Sequence, residues 1–272
     1  MFEGILDNVR QKVPLVHNIT NFVTVNDCAN IVLACGGSPI MSADIREVAE
    51  ITAICQSLVA NMGAVEDAAS MIVAGKKSNE LGHPVVLDPV AAGASALRNQ
   101  TVFQLLDEVH FSAIRGNISE IKTIQKGSGT TKGVDADSAD AVTEENLEAT
   151  VRMAKELSAK TGSVIIISGA IDIAADSQKA YVIRNGHPIM ARITGSGCMS
   201  SSLVGAFCGA NPEQILDACA AAMCAMGVCG ELAYQKTVQT GGGTLSFRTY
   251  LIDAMSNLTQ DTLNAYGKVQ IC

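Results

Sequence analysis

Residues 192–202, Arg-Ile-Thr-Gly-Ser-Gly-Cys-Met-Ser-Ser-Ser, place Cys198 directly behind two glycines, where a helix is expected to begin. The glycines let backbone N–H groups converge without obstruction from Cβ atoms, and a helix N-terminus of this kind favours an anion, especially phosphate. The same field is expected to lower the pKa of the Cys198 thiol below its ordinary value of about 8.5. Close packing of a helix against a strand also requires glycine, so a packing loop with a small core cysteine is the open alternative.

Other polar side chains follow candidate strands, at positions where they could meet a phosphate. Asp88 comes directly after a Val-Val-Leu run and before a proline that ends the strand, and such a carboxylate can hold a hydrated magnesium ion. A helix cap or a turn aspartate is the alternative there. Arg115 offers a planar set of donors suited to phosphate oxygens, and Glu120 could share the metal with Asp88. Alternatively, Arg115 and Glu120 only pair with each other across the turn between them.

Several motifs of well-known enzyme classes are missing from the sequence. It contains no GxxxxGK[ST] phosphate loop, no GxGxxG after the first strand and no GxSxG nucleophile motif. Residues 127–133, Gly-Ser-Gly-Thr-Thr-Lys-Gly, include a lysine, but the spacing is wrong and no strand precedes them. The four histidines show no metal-ligand spacing and the nine cysteines form no CxxC pair. P-loop enzymes, Rossmann dehydrogenases and zinc sites are therefore disfavoured, and the cysteines other than Cys198 are expected to pack as small hydrophobic residues.

The elements that must position these side chains alternate between β-branched runs and segments of helical spacing. The strand candidates are residues 14–20, 38–41, 57–63, 84–90, 110–117, 163–169 and 179–186. The helix candidates are residues 21–35, 45–54, 65–78, 96–109, 119–125 and 144–160, followed by a largely helical region after Gly186. This order predicts an α/β fold with a mostly parallel central sheet flanked by helices on both faces. Ligands of such sheets bind beyond the carboxyl ends of the strands, where the polar residues above are found.

Two local signals add detail to this pattern. Asn185-Gly186 is a strong hairpin dipeptide and predicts a hairpin that delivers the chain into residues 194–198. Thr143 is the expected N-cap of the helix candidate at 144–160.

Composition favours one soluble domain that spans residues 1–272. Hydrophobic residues make up 48% of the chain and charged residues 17%, which is ample for a sizeable core. The net charge of −8 and the absence of a basic cluster with interleaved aromatic residues exclude nucleic acid as an expected partner. Glu3, Asp7 and Arg10 interrupt the first apolar turns, and we expect the longest apolar runs to be too short or too interrupted to span a bilayer. We therefore expect a cytoplasmic protein with no membrane partner.

Seven segments, taken in order, resemble the hydroxyethylthiazole kinases of thiamine salvage. They are LVHNITNFVTVND, CGGSPIMSAD, LVANMGAV, VVLDPVAAGAS, IRGNISEI, ITGSGCMSSS and GGGTLSFRTYLIDAM, and together they cover nearly the whole chain. The resemblance implies a ribokinase-like fold and a homotrimer with active sites at the subunit boundaries. It also implies the use of ATP and Mg²⁺ to phosphorylate the primary alcohol of 4-methyl-5-(2-hydroxyethyl)thiazole.

The resemblance further implies roles for eight residues. They are Asn21, Met41 and Gly195 for the thiazole substrate, Arg115 and Ser168 for ATP, Asp88 and Glu120 for magnesium, and Cys198 for catalysis. Related ribokinase-like enzymes usually have an aspartate base at the position of Cys198.

The chain departs from the family pattern in modest ways. The usual TGTGC is TGSGC here, so Ser196 keeps the hydroxyl and loses a methyl group. Ala91 replaces a common glycine and is expected to narrow its turn, and GGGTLSF lacks a frequent proline. A kinase for another small heteroaromatic alcohol, of the hydroxymethylpyrimidine or pyridoxal type, is one alternative function. A non-catalytic module that binds anions or senses redox state through Cys198 is another.

Overall fold

Nine strands form one sheet within residues 2–127 and 141–272, which are the residues that the computed structural model describes. The strands are β1 (Leu15–Ile19), β2 (Ser38–Met41), β3 (Ser57–Asn61), β4 (Val85–Asp88), β5 (Ala113–Asn117), β6 (Val164–Ser168), β7 (Asp172–Ala175), β8 (Ala180–Ile183) and β9 (Val269–Ile271). Their order across the sheet is β2-β1-β3-β4-β5-β6-β7-β8-β9. Strands β1 to β6 run parallel, whereas β7, β8 and β9 are antiparallel to their neighbours. All but the first residue of the lysine-containing segment 127–133 lie outside the described residues.

Helices cover both faces of this sheet, as the sequence predicts. They are α1 (Ile5–Lys12), α2 (Val25–Cys35), α3 (Val48–Ile54), α4 (Ala68–Leu81), α5 (Ala96–Glu108), α6 (Ile118–Lys126), α7 (Leu147–Thr161), α8 (Ser196–Ala210), α9 (Ile215–Thr240), α10 (Thr244–Ser256) and α11 (Gln260–Tyr266). One hydrophobic core lies between the sheet and helices α1, α2, α8, α9 and α10, and a second lies between the sheet and helices α3 to α7. Successive strand residues such as Leu58 and Val59 enter opposite cores because side chains alternate across a strand.

The hairpin predicted at Asn185-Gly186 is wrong. The hairpin in this region joins β7 to β8 instead, and its turn forms because the Asp176 carboxylate accepts the backbone N–H groups of Gln178 and Lys179, at 2.7 and 2.6 Å. Asn185 is buried, and its side chain accepts from the Lys268 N–H at 2.6 Å. This contact anchors the segment that leads into β9.

Two further details of the chain differ from the sequence-based expectation. The N-cap position of α7 is Asn146, and the Thr143 N–H donates to the Asn146 side chain at 2.9 Å. Helix α9 is longer than expected. With 26 residues, it is long enough and apolar enough to cross a membrane. However, its apolar window is 78% buried inside the protein, as in the core helix of a soluble protein.

Candidate active site

The polar residues predicted from the sequence gather where the carboxyl ends of the parallel strands meet the start of α8. Asn61 and Asp88 lie side by side because they are paired in register at the ends of β3 and β4. Ser168 ends β6 and is paired with the last residue of β5, the strand that carries Arg115. Parallel pairing therefore brings together residues that are far apart in sequence at one edge of the sheet.

Asp88 lies at the centre of this group and is 1% exposed. Its Oδ2 accepts from Ser201 Oγ at 2.6 Å and from Asn61 Nδ2 at 3.1 Å, and Arg115 Nη1 is 3.7 Å away. Burial raises the pKa of the Asp88 carboxyl, and the nearby Arg115 charge and the Ser201 hydrogen bond act in the opposite direction. Asp88 is therefore a buried carboxyl group that accepts two hydrogen bonds and lies close to the guanidinium of Arg115.

Arg115 connects the sheet to the N-terminus of α8. Its Nη2 donates to Ser168 Oγ at 2.7 Å, and a Cβ atom on Gly197 would lie only 2.8 Å from its Nη1. Its Nε is buried and has no hydrogen-bond partner among the described residues. A half-buried guanidinium whose Nε lacks a partner in the described part of the chain suits an oxygen-rich anion such as phosphate. The alternative in which Arg115 only pairs with Glu120 is wrong, because the Glu120 carboxylate has other partners.

Glu120 forms a capping box at the start of α6. Its Oε2 accepts from the Asn117 N–H at 2.8 Å, while the Asn117 side chain accepts from the Glu120 N–H at 2.9 Å. Its Oε1 accepts from the Ala91 N–H, also at 2.8 Å. Burial, and secondly the charge of Asp88, raise the pKa of Glu120 to about 7. The two carboxylates therefore repel each other across the site.

Ala91 occupies the left-handed backbone region at φ 59°, which alanine rarely adopts. Proteins of the family that the sequence resembles commonly have a glycine at this position. The Ala91 N–H donates to Glu120, so the strained turn is held in place by the same carboxylate that caps α6.

Cys198 lies in the first turn of α8 and is half-buried. Asn21 Nδ2 is 3.6 Å from its Sγ, and the Asn21 Oδ1 accepts from the Thr24 N–H at 3.1 Å. Burial, and secondly the charge of Asp88, raise the pKa of the Cys198 thiol. The prediction that the helix terminus lowers this pKa is therefore wrong, because desolvation and a neighbouring carboxylate outweigh the field of the helix.

The other cysteines behave as expected from composition, with one exception. Cys272 is exposed, and the rest are buried free thiols. They are Cys28, Cys35, Cys55, Cys208, Cys219, Cys224 and Cys229. Cys198 is thus the one half-buried cysteine within residues 2–127 and 141–272.

The substrate residues implied by the resemblance lie on the same side as Cys198. Gly195 is the N-cap residue of α8, and a Cβ atom on it would lie 2.9 Å from Thr24 Cγ2, in the segment that follows Asn21. Met41 ends the edge strand β2 and is paired in register with Asn18 of β1. One side of the site therefore carries Asn21 and Cys198, and the other side carries Arg115.

Three residues of the site were not identified from the sequence. Asn61 and Ser201 hold Asp88, and Asp172 at the start of β7 accepts the Gly169 N–H at 2.8 Å. Burial raises the pKa of Asp172 to about 7. The sequence gives a weak signal for two of them. Asn61 is the polar residue that opens the segment Asn-Met-Gly-Ala-Val, and Ser201 follows Cys198 by three residues. No group of three or more His, Cys, Asp or Glu that could hold a metal is found among the described residues.

Comparison with known proteins identifies similar sequences and structures. The model of the "Hydroxyethylthiazole kinase family" matches residues 6–261. A hydroxyethylthiazole kinase of Clostridium acetobutylicum is 54% identical over 266 residues, which are 97% of each chain. Another from Desulfovibrio desulfuricans is 52% identical and covers 95% of this chain and 94% of its own. The structure of a hydroxyethylthiazole kinase protein from Pyrococcus horikoshii has a TM-score of 0.87 and 30% identity, with 100% and 98% coverage. Pyridoxal kinase from Staphylococcus aureus, with a TM-score of 0.58 and 12% identity, shares the fold over 81% of this chain and 88% of its own.

Proposed function

Since this chain belongs to the hydroxyethylthiazole kinase family and is a thiazole alcohol kinase, we propose that it transfers the γ-phosphoryl group of ATP where the carboxyl ends of β3 and β4 meet the start of α8. The acceptor is the primary alcohol of 4-methyl-5-(2-hydroxyethyl)thiazole. One observation carries the placement: the buried Nε of Arg115 has no partner among the described residues, beside the first turn of α8. Backbone N–H groups of that turn and the guanidinium can together bind the transferring phosphoryl group.

ATP binds on the side of Arg115 and Ser168. The two side chains are joined by a hydrogen bond of 2.7 Å, so the guanidinium is held in one orientation toward the phosphates. Phosphoryl transfer depends mainly on positioning and on neutralising the charge of the phosphate oxygens. Arg115 supplies a fixed positive charge for that purpose.

The thiazole alcohol binds on the side of Asn21, Met41 and the backbone of Gly195, with its hydroxyl near Cys198. In its thiolate form, Cys198 accepts the proton of the attacking hydroxyl. Because the transition state is loose, this proton moves late, when the oxygen is already acidic, and the expected contribution is about 10²–10⁴-fold. The raised pKa of the thiol means that little thiolate is present at neutral pH.

The donor set around Asp88 and Glu120 fits a magnesium ion. The charge of Asp88 contributes to raising the pKa of Glu120 to about 7, and a divalent cation beside the two carboxylates would remove this repulsion. Magnesium usually binds through one or two carboxylates, water and substrate phosphates, so two protein ligands suffice. Asp88 and Glu120 would hold the ion, which supplies neutralisation of phosphate charge when bound.

A homotrimer with active sites at subunit boundaries accounts for apolar side chains exposed near the alcohol side. Phe22, directly after Asn21, is 85% exposed, and Leu245 in the first turn of α10 is 72% exposed. Contiguous exposed apolar surface commonly marks a contact surface, and α10 packs against α2, which begins three residues after Phe22. Light scattering should give about three times the chain mass of 28.3 kDa, and a fully active monomer would exclude shared sites. We place the enzyme in the cytoplasm, which fractionation of cells would test.

The function is tested with ATP, magnesium and three alcohols: the thiazole alcohol, hydroxymethylpyrimidine and pyridoxal. We expect turnover with the thiazole alcohol at a kcat/KM well above that of the other two. A preference for either of the others would overturn the substrate assignment. Nucleotide binding without turnover of any of the three would favour an anion-binding or redox-sensing module instead.

A further inference from the structure

Asn61 is a buried amide that lies between the two sides of the active site. It ends β3, is 1% exposed and stands opposite Asp88 in register. Its Nδ2 donates to Asp88 Oδ2 at 3.1 Å, and its Oδ1 accepts from the Gly63 N–H at 2.8 Å. A backbone N–H can only donate, so the Gly63 contact fixes Oδ1 as the end of the amide that faces Gly63 and leaves Nδ2 to donate to Asp88.

Asn61 also belongs to a closed chain of contacts that begins and ends on α8. Asn21 Nδ2 lies 3.6 Å from Cys198 Sγ and 3.5 Å from Asn61 Oδ1. Asn61 Nδ2 contacts Asp88, which in turn accepts from Ser201 Oγ at 2.6 Å. Cys198 and Ser201 are three residues apart and therefore lie on the same face of α8. We call these five residues the polar ring.

The backbone at Gly63 restricts both amides of the polar ring. A Cβ atom at this position would lie 2.5 Å from Asn21 Nδ2 and 2.7 Å from Asn61 Oδ1. Both distances are far shorter than ordinary van der Waals contacts, so a larger residue here would displace at least one amide. Glycine at position 63 lets the chain pass directly against Asn21 and Asn61.

We propose, resting on the function above, that Asn61 is a positioning residue for phosphoryl transfer. Its amide holds the Asp88 carboxylate and the Asn21 amide at a fixed separation, so that the phosphoryl group on the Arg115 side meets the hydroxyl held near Cys198. In-line transfer is sensitive to this separation, because a misplacement of about 1 Å costs on the order of 10²-fold in rate. Asn61 is thus required for the chemical step more than for the binding of either substrate.

The test is the variant Asn61→Ser. Asn61 is the N-cap of the short 3₁₀ helix Met62–Asp67, and serine, a common N-cap residue, keeps an oxygen that can accept from the Gly63 N–H. Serine is too short to reach Asp88 as well. The matched control is Asn79→Ser, since the Asn79 side chain bridges the N–H and C=O of His110, both at 2.8 Å, ahead of β5 at the opposite edge of the sheet. We expect Asn61→Ser to lower kcat by about tenfold or more while each KM changes less than about threefold. Asn79→Ser should leave both parameters unchanged.

A double-mutant cycle with Ser201→Ala tests the connection through Asp88. Asn61 and Ser201 hold the same carboxylate oxygen, so the loss of kcat in the double variant should be smaller than the product of the two single losses. A parental kcat in Asn61→Ser, an effect confined to KM, or losses that multiply would each overturn the proposal. If Asn61→Ser does not fold, Asn61→Thr is measured by the same criteria.

The activities of the parent enzyme and of Asn79→Ser distinguish a failure of this proposal from a failure of the proposed function on which it rests. Turnover of the thiazole alcohol by both, together with an unchanged Asn61→Ser, overturns the positioning role alone. Failure of both to phosphorylate the alcohol overturns the proposed function and, with it, the role of Asn61 in transfer.

Discussion

Replacing Gly197 with alanine would place a methyl group where the guanidinium of Arg115 now lies. The added Cβ would be 2.8 Å from Nη1 and 3.3 Å from Nη2, whereas an ordinary contact is at least 3.4 Å. The guanidinium must therefore shift by about 0.6 Å, and a shift of that size away from Ser168 would lengthen their hydrogen bond from 2.7 Å to beyond the usual N–H···O range of about 2.7–3.2 Å. Gly197→Ala thus tests how firmly Arg115 must be held.

The expected size follows from the hydrogen bond that is lost. A hydrogen bond to a charged group contributes about 1.5–3 kcal/mol, which corresponds to about 10–150-fold in kcat/KM for ATP. The melting temperature should stay within a few degrees of the parent, because alanine is favoured over glycine by up to about 1 kcal/mol within a helix. Gly197→Ala therefore should lower activity without unfolding the protein.

Steady-state kinetics of Gly197→Ala, Arg115→Ala and the double variant provide the assay. In the Arg115→Ala background the methyl group has no guanidinium to displace, so Gly197→Ala should change kcat/KM by less than about threefold. A full effect in that background would mean that the methyl group acts on something other than Arg115. Parental activity of Gly197→Ala would likewise refute the reasoning.

Cys198→Ala should fold normally and lose about 10²–10⁴-fold in kcat, whereas Cys198→Asp should retain activity; a parental rate in Cys198→Ala would exclude the base role. Because burial and the Asp88 charge raise the pKa of the Cys198 thiol, kcat of the parent should rise with pH through the alkaline range, and Cys198→Asp should abolish that rise. Burial raises the pKa of Asp172 from 3.8 to about 7, so the folded state binds the proton more tightly than the unfolded state and stability falls as pH rises across this interval. Asp172→Asn should reduce that slope, by on the order of 1–4 kcal/mol in total, in thermal melts recorded with a chelator from pH 4 to pH 8. Part of the slope should remain, because the pKa of Glu120 is also raised to about 7, and an unchanged slope would contradict the assignment.

The strands and their functional ends were predictable because the signals are local. A buried parallel strand such as β4 is a continuous apolar run, and the proline after Asp88 marks its end in the sequence itself. The start of α8 at Ser196 was predictable in the same way, because the glycines and serines that mark it are neighbours in the sequence. Strands β7 and β9 were both missed. The three residues of β9 acquire their conformation only by pairing with β8, far away in the chain.

Contacts within the site were harder to predict, because they depend on the register between paired strands and on how deeply each side chain is buried. Asn61 meets Asp88 only because β3 and β4 pair with these two residues opposite each other, and Ser201 meets it only because of the rotation of α8. The direction of the pKa shift of Cys198 depends on how deeply the thiol lies and on the carboxylate near it. Neither quantity can be read from the neighbouring residues in the sequence.

The face of α8 that carries Cys198 and Ser201 makes the two halves of the site mechanically dependent on each other. A sliding or turning of this helix that enlarges the space around the sulfur also moves the hydroxyl that holds Asp88. If the proposed roles hold, enlarging the space around Cys198 for a bulkier alcohol by repacking beneath α8 would therefore also disturb the binding of phosphate. The short segment formed by Phe22 and Val23 has more freedom, since both side chains are exposed and neither belongs to the polar ring. Changes of substrate range are thus better engineered in that segment, which can vary while α8 stays in place.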